Sequence, residues 1–311
     1  IWSSQPVGAA TAVTSSRYDR FVVQSGHTIT ATGNWTLNDI SVNSGGTLVG
    51  GSSSMRVYGN WVNEGSFTAQ TSTVQFKGQA AQSIGFSTNA VNTTFYNLTI
   101  DNDGNAVTID SAAVNVTGVV SLREGTLQTQ PGTLTLTSNS TGSSSIGAIA
   151  SGASISGNVI LQRWIPSIPN VQGYWVNLGC PLQGQTLAAW NDDIVTSGFT
   201  GSDYPSYPFN NISYYDETLP GAMNAGWVSA TNISNAIQSN RGYFVWLNGS
   251  QQNIDNTGTI QSGNITHTLN YTVTSPGGIF DYGWNLMTNP YPSEVDWNLV
   301  SASLTGPKVY Y

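Results

Sequence analysis

GHTITATGNWTLNDISVNSGGTLVG, residues 26–50, is the stretch whose reading decides the fold. Short β-favouring runs alternate here with Gly and Asn, and the pattern continues in MRVYGNWVNEGSFTAQTSTVQF (55–76), NLTIDNDGNAVTID (97–110), VNVTGVVSLREGTLQT (114–129) and GTLTLTSNS (132–140). Val, Ile, Leu or Phe tends to occupy every second position, and Thr or Ser fills the others. Period-two patterning turns one face inward, and β-branched Thr suits the outer face without needing charge. Gly and Asn tolerate the conformations of sharp corners. Gly45, Gly65, Gly125 and Gly132 each stand just before such an alternation. Strands of three to five residues between corners predict a β-helix, in which each coil buries its apolar row against the next. The irregular period leaves a β-sandwich of hairpins as the alternative. GNW occurs at 33–35 and again at 59–61, and Trp35 and Trp61 are read in two ways: as packing over turns, or as a stacking surface for glycan rings. A regular GGxGxD repeat is absent, so calcium is not expected at the turns.

Composition narrows the function classes. The 311 residues include 8 basic and 16 acidic side chains, a formal charge of -8, with 39% hydrophobic residues, 10 Trp and 14 Tyr. That is enough apolar material for large cores and too little charge for a disordered chain. Lys77 and Lys308 are the only lysines, which argues against nucleic acid and against anionic membranes as partners. No apolar run is long enough to span a bilayer as a helix. Cys180, the sole cysteine, reads as an inert buried thiol at a strand end. The start at Ile1 fits a processed N terminus, and the strand-like end GPKVYY (306–311) predicts a natural chain that continues.

Composition shifts near residue 160, where Pro166 and Pro169 mark a boundary. The expected organisation is all-β: a solenoid-like repeat domain over 1–160 and an antiparallel β-sandwich over 161–311. Residues 173–179, 212–216, 241–248, 265–274 and 279–287 read as strands, and TLAAWNDDI (186–194) as one or two helical turns. In RGYFVWLNG (241–249), Tyr243, Val245 and Leu247 share one face and Phe244 and Trp246 the other. Two apolar faces predict a central strand, or one packed against a neighbouring domain.

Catalytic motifs are missing. His27 and His267 fall in different domains, and neither HExxH, a phosphate-binding loop, a dinucleotide fingerprint nor GxSxG is present. No catalytic or cofactor-binding residue is assigned. Asp192, Asp193, Asp203, Asp216, Glu217, Asp281, Glu294 and Asp296 concentrate in the second half. Opposed carboxyls would serve a glycosidase and a cluster would hold calcium, whereas Asp beside Gly or Pro commonly caps turns.

GWNLMTNPYPSEVDW (283–297) starts as a strand with Trp284, Leu286 and Thr288 on one face. Pro290 forces Asn289 toward extended geometry and Pro292 fixes the next turn. Val295 and Trp297 are then expected to return to the core, leaving Glu294 and Asp296 outside. The stretch reads as a structural loop in which Trp284 and Trp297 are buried.

This block resembles the GWNLxGNPYPSxxDW segment of large secreted surface proteins of the Bacteroidetes exported by the type IX secretion system. RGYFVWLNG is similar to the strand that usually precedes it, as are QRWIPSIPNVQGYWVNLGCPLQGQTLAAWNDDIVTSGFTGSDYPSY (162–207) and ISYYDET (212–218). GNWVNEGSFTAQTSTVQFKG (59–78), QSIG (82–85) and FYNLTIDN (95–102) resemble the repeats ahead of such modules, so the likeness covers most of the chain. Thr288 stands where Gly is common and Cys180 where Ser is common. The resemblance implies a noncatalytic secreted or outer-surface protein, adhesive or structural, a cargo of the type IX machinery whose sorting domain lies beyond Tyr311. A carbohydrate-binding protein or a β-helix polysaccharide-degrading enzyme is the alternative. Surface polysaccharide, which a long groove and exposed aromatics would suit, and further copies of the chain or other protein subunits, which open solenoid ends would pair with, are the expected partners. Asp110-Ser111-Ala112 resembles the O-glycosylation motif of these bacteria, which would make Ser111 the acceptor. Ten N-x-S/T triplets also occur, as expected of a chain this rich in Asn, Ser and Thr.

Overall fold

The computed structural model describes residues 16–130, 132–273 and 282–300. GPKVYY and Asp281 lie outside them. The chain divides into two compact units between Arg163 and Trp164.

The first unit is a parallel β-solenoid of about 7 turns. Its strands stack in columns. One runs from Phe21–Val23 through Ile40–Val42 and Trp61–Asn63 to Gln82–Ile84 and the end of Asn97–Ile109. Another joins Asn34–Leu37, Ser54–Val57 and Thr73–Phe76 to the beginning of Asn97–Ile109. A third column begins with Thr28–Thr30, Thr47–Val49 and Ser66–Thr68. The 13-residue strand Asn97–Ile109 bends through a corner and so serves two columns, as does Val119–Gln128 after it. Thr93–Phe95, Ala113–Val116 and Thr133–Leu136 pair in the same parallel sense.

Register stacks like on like. Ile40 lies beside Trp61, Trp61 beside Ile84 and Ile84 beside Ile109, and all four are buried. Met55, Val74, Leu98 and Val120 form a second such row. Each buried aliphatic side chain contributes about 1.5–3 kcal/mol, so the rows bind coil to coil. Corners differ in chemistry. Gly45 (φ 76°) and Gly125 (φ 81°) need the freedom of glycine. At Gly65 and Gly132 the demand is space, since a Cβ would meet Asn43 O at 2.4 Å and Ile109 Cγ2 at 2.5 Å.

The GNW spacing is not the coil length. Trp35 pairs with Met55 in one column and Trp61 with Ile40 in another. The shared tripeptide marks two different corners leading into strands.

The second unit consists of separate antiparallel sheets. Tyr243–Leu247 is central, flanked by Tyr174–Leu178 and Ile212–Tyr215, with Trp227–Ser229 beyond the latter. Tyr243, Val245, Leu247 and Ile212 are buried on one face. Gln252–Ile260, which sequence patterning does not reveal, pairs with Leu182–Gln183. Ala188–Asn191 forms the expected helical turn.

The strand expectations for 265–274 and 279–287 are not met within the described residues. Asn285 supplies the reason. Its side chain accepts from Asn270 N at 3.0 Å and donates to Asn270 O at 2.9 Å. One amide side chain thus makes the two bonds that a ladder partner would otherwise make with its backbone.

Candidate functional site

Among the solenoid residues proposed for glycan stacking, Trp61 is 0% exposed and packs edge-to-face on Phe67 and Phe95 with centroids at 4.8 and 5.2 Å. It is a core residue, not a platform. Trp35 lies in the same row as buried Met55, packs edge-on against Phe21 at 4.8 Å and donates from Nε1 to Thr32 O at 3.2 Å. Its partial exposure follows from its place in the first described coil. Ser111 is exposed, and its hydroxyl donates to Gly85 O and to Ser87 O, the latter at 2.7 Å.

The acids mostly work locally. Asp39 Oδ1 accepts from Asn60 N at 2.7 Å, and Asp101 pairs with Lys77 at 2.7 Å. In the second unit Asp203 accepts from Thr196 N, Asp216 from Thr218 N and Asp296 from Asn298 N, at 2.8, 3.0 and 2.9 Å. These are turn and loop caps, in line with the capping reading. Asp193 accepts from Asp255 N at 2.7 Å. Burial, with Asp255 and Asp192 nearby, raises the Asp193 carboxyl above its ordinary range, and burial with Asp192 raises that of Asp255. Among the described residues no group of three or more His, Cys, Asp or Glu is placed to hold a metal ion. Cys180 is buried, which pushes its thiol up to about 11 and keeps it protonated and unreactive.

Glu217 is the exception among the acids. It is 8% exposed, and its Oε1 accepts from Thr272 N at 2.7 Å and Gly283 N at 2.9 Å. One carboxylate oxygen therefore holds Thr272 and Gly283 near each other, while Oε2 has no hydrogen-bond partner among the described residues.

The open face of the four-stranded sheet carries an aromatic row. Phe244 is stacked between Trp175 (4.6 Å, 8°) and Trp227 (5.2 Å, 26°), and Tyr215 meets Trp227 at 5.2 Å and 79°. Both faces of Phe244 are used within the row, which fits cross-strand packing.

In GWNLMTNPYPSEVDW the prolines behave as expected and the tryptophans do not. Pro290 and Pro292 are buried, and Asn289 closes the loop by accepting from Tyr291 N at 3.0 Å and donating to Ser293 O. Glu294 and Asp296 face outward. Trp284 and Trp297, however, are 40% and 42% exposed, and Val295 is exposed as well. Asp296 caps a 3-10 turn at Trp297–Leu299, so the alternation of a strand does not extend past Pro292. The residue that anchors this loop is one the sequence reading passed over, Tyr291. Its hydroxyl accepts from Ile265 N at 3.1 Å and donates to Gly263 O at 2.6 Å.

Tyr243, in the RGY block, does the same elsewhere. Its hydroxyl accepts from Gln238 N at 3.0 Å and donates to Ala236 O at 3.2 Å. Burial raises its pKa further, so it stays a donor at neutral pH. Its neighbours explain the rest of the block. Arg241 lies over the Tyr214 ring at 4.1 Å, and a Cβ on Gly242 would meet Leu286 Cγ at 2.8 Å. Thr288, in turn, fits because Gly179 has no side chain where they touch.

The two tyrosines fix two walls of one open cavity of about 370 Å³. Buried Leu182 and Ile237, with half-buried Ile265, make its apolar part. Gln183, Gln238, Ser239, Asn240 and Gln261 supply polar groups, and the Gln261 amide bonds the Ser239 hydroxyl across the walls. Such a pocket can accept hydrogen-bonding neutral groups, and none of its lining side chains carries a charge. Comparison with protein-family models, with curated proteins and with solved structures found no match to this chain.

Proposed function

We propose that the chain is a noncatalytic, secreted bacterial surface protein of the type IX cargo kind, with the solenoid as its structural body and the second unit as its adhesive part. The observation that carries this reading is the use of the two resemblance-bearing blocks. Tyr243 of RGY and Tyr291 of NPYPS each give both hydrogen-bonding functions of one hydroxyl to a wall of the same uncharged cavity. Residues spent on holding an open cavity in shape suit recognition. The solenoid supports a structural rather than an enzymatic part in the same reading. Its Asp39 and Asp101 are engaged in a cap and an ion pair, and Trp61 is core.

Export and placement are tested together. An epitope-tagged full-length protein should be labelled by antibody on intact cells and be digested by external protease. Both signals should disappear in a strain lacking the type IX translocon. Retention inside wild-type cells would overturn the proposal. Loss of adhesion by cells lacking the protein, restored by the full-length chain, tests the adhesive part.

A further inference from the structure

From the cavity between residues 182–184, 237–240 and 261–265 we infer a binding site for a neutral saccharide, engaged through the side-chain amides of Gln183, Gln238 and Asn240. The inference deepens the adhesive reading by naming the receptor chemistry, and it rests on that reading only for its biological setting. Three features of the cavity converge on this ligand.

The first is charge. None of the lining side chains is ionisable, so an anionic or cationic ligand would lose hydration without gaining a counter-charge. The second is the kind of polar group. A primary amide offers an acceptor oxygen and two donor hydrogens. A sugar hydroxyl is likewise both donor and acceptor, so amides satisfy it in either sense. The side-chain amides of Gln183, Gln238 and Asn240 make no hydrogen bond among the described residues, whereas that of Gln261 is engaged with Ser239. Three amides are therefore available to a ligand without breaking a bond within the protein. The third is the apolar part: half-buried Ile265, backed by buried Ile237 and Leu182, can cover part of the C–H face of a pyranose ring. A volume of about 370 Å³ falls in the range of small-ligand pockets, roughly 300–1,000 Å³.

Preorganisation completes the argument. Gln238 and Ile265, on separate segments of the lining, have their backbone N–H groups held by Tyr243 and Tyr291. The walls are thus fixed by buried or half-buried hydroxyls while the amide ends stay free. An open site with neutral contacts binds weakly, with Kd on the order of 1 mM. An adhesin would gain avidity from many copies.

The test uses the whole 311-residue chain and ligand-observed NMR with methyl glycosides of glucose, galactose, mannose and N-acetylglucosamine, with glucuronate as the anionic control. At least one neutral glycoside should saturate. Asn240→Ala and Gln238→Ala should each weaken it at least fivefold with an unchanged melting temperature, because neither side chain is bonded within the protein. Trp227→Ala, in the aromatic row, should leave it unaltered. No saturable binding of any neutral glycoside up to about 20 mM, preference for glucuronate, or indifference to both amide variants would overturn the inference. Surface exposure and adhesion of cells are read separately, so a failure here leaves the secreted-protein proposal standing or falling on its own assay.

Discussion

The two units reach order by opposite routes. In the solenoid, backbone pairs with backbone along parallel columns, and apolar side chains stack on their counterparts one coil away. In the second unit much of the described chain past Ile260 is held by individual side chains: Asn285 on residue 270, Tyr291 on 263 and 265, Glu217 on 272 and 283. The first route distributes stability over many equivalent contacts. The second concentrates it in a few polar groups, and each of those should be separately breakable.

The contrast is sharpest at Trp61. Trp61→Ala empties a wholly buried site between Ile40 and Ile84, and large-to-small changes of this kind cost about 3–5 kcal/mol. Denaturant unfolding should show a loss of that size confined to the solenoid transition. A loss below about 1 kcal/mol would mean that neighbouring coils collapse to fill the space. Next comes Glu217→Ala, which removes the acceptor for Thr272 and Gly283 N–H. Roughly 1–3 kcal/mol is expected, together with faster hydrogen exchange at those two amides. Unchanged exchange there would break the contrast, because the segment would not depend on its single carboxylate. Trp297→Ala should cost less than about 1 kcal/mol, since the side chain is 42% exposed. A melting shift as large as that of Trp61→Ala would restore the buried reading of this tryptophan.

The smallest effect concerns charge. Asp193 and Asp255 have carboxyls raised by burial and by Asp192. Raised carboxyls bind protons more tightly in the folded state, so their contribution favours folding at low pH and is lost as pH rises through the folded values. Asp192→Asn removes one repelling charge and should stabilise by at most about 0.5 kcal/mol above the usual carboxylate range. Below that range, with the carboxyls of Asp193 and Asp255 protonated, variant and parent should melt alike. A gain independent of pH would exclude charge as its cause.

The same contrast governs what could be read from the sequence. Alternation such as TIT, TLV and SFT marks strands because each coil repeats one inward residue, and Ile29, Leu48 and Phe67 indeed stack in register. GNW misleads about period, because turn chemistry is local and says nothing about which corner a turn occupies. QNIDNTGTI escapes notice since Asn, Asp and Gly disfavour strands. Yet Ile254, Asn256 and Gly258 alternate inward in the folded unit. For Trp297, a period of two does not carry across the prolines, because the chain beyond them forms a 3-10 turn. The cavity was illegible because its walls come from three separated stretches. Its one signal was a tyrosine in each of two motif blocks, and hydroxyl partners cannot be assigned from spacing.

The coils are unequal, and this has a practical consequence. From Phe21 to Ile40 is 19 residues, then 21 to Trp61, 23 to Ile84 and 25 to Ile109, yet all pair in register. The extra length is taken up between strands, as in the stretch 85–92 that carries exposed Phe86. Doubling a flexible loop costs only about 0.6 kcal/mol, far less than a single stacked row provides. The solenoid is therefore a natural chassis for grafting: foreign peptides inserted between Thr88 and Asn89, past the Ser87 carbonyl that accepts from Ser111 and before Val91, whose N–H bonds Asn63 O, would be displayed at a fixed height along the stack while those bonds between coils are kept.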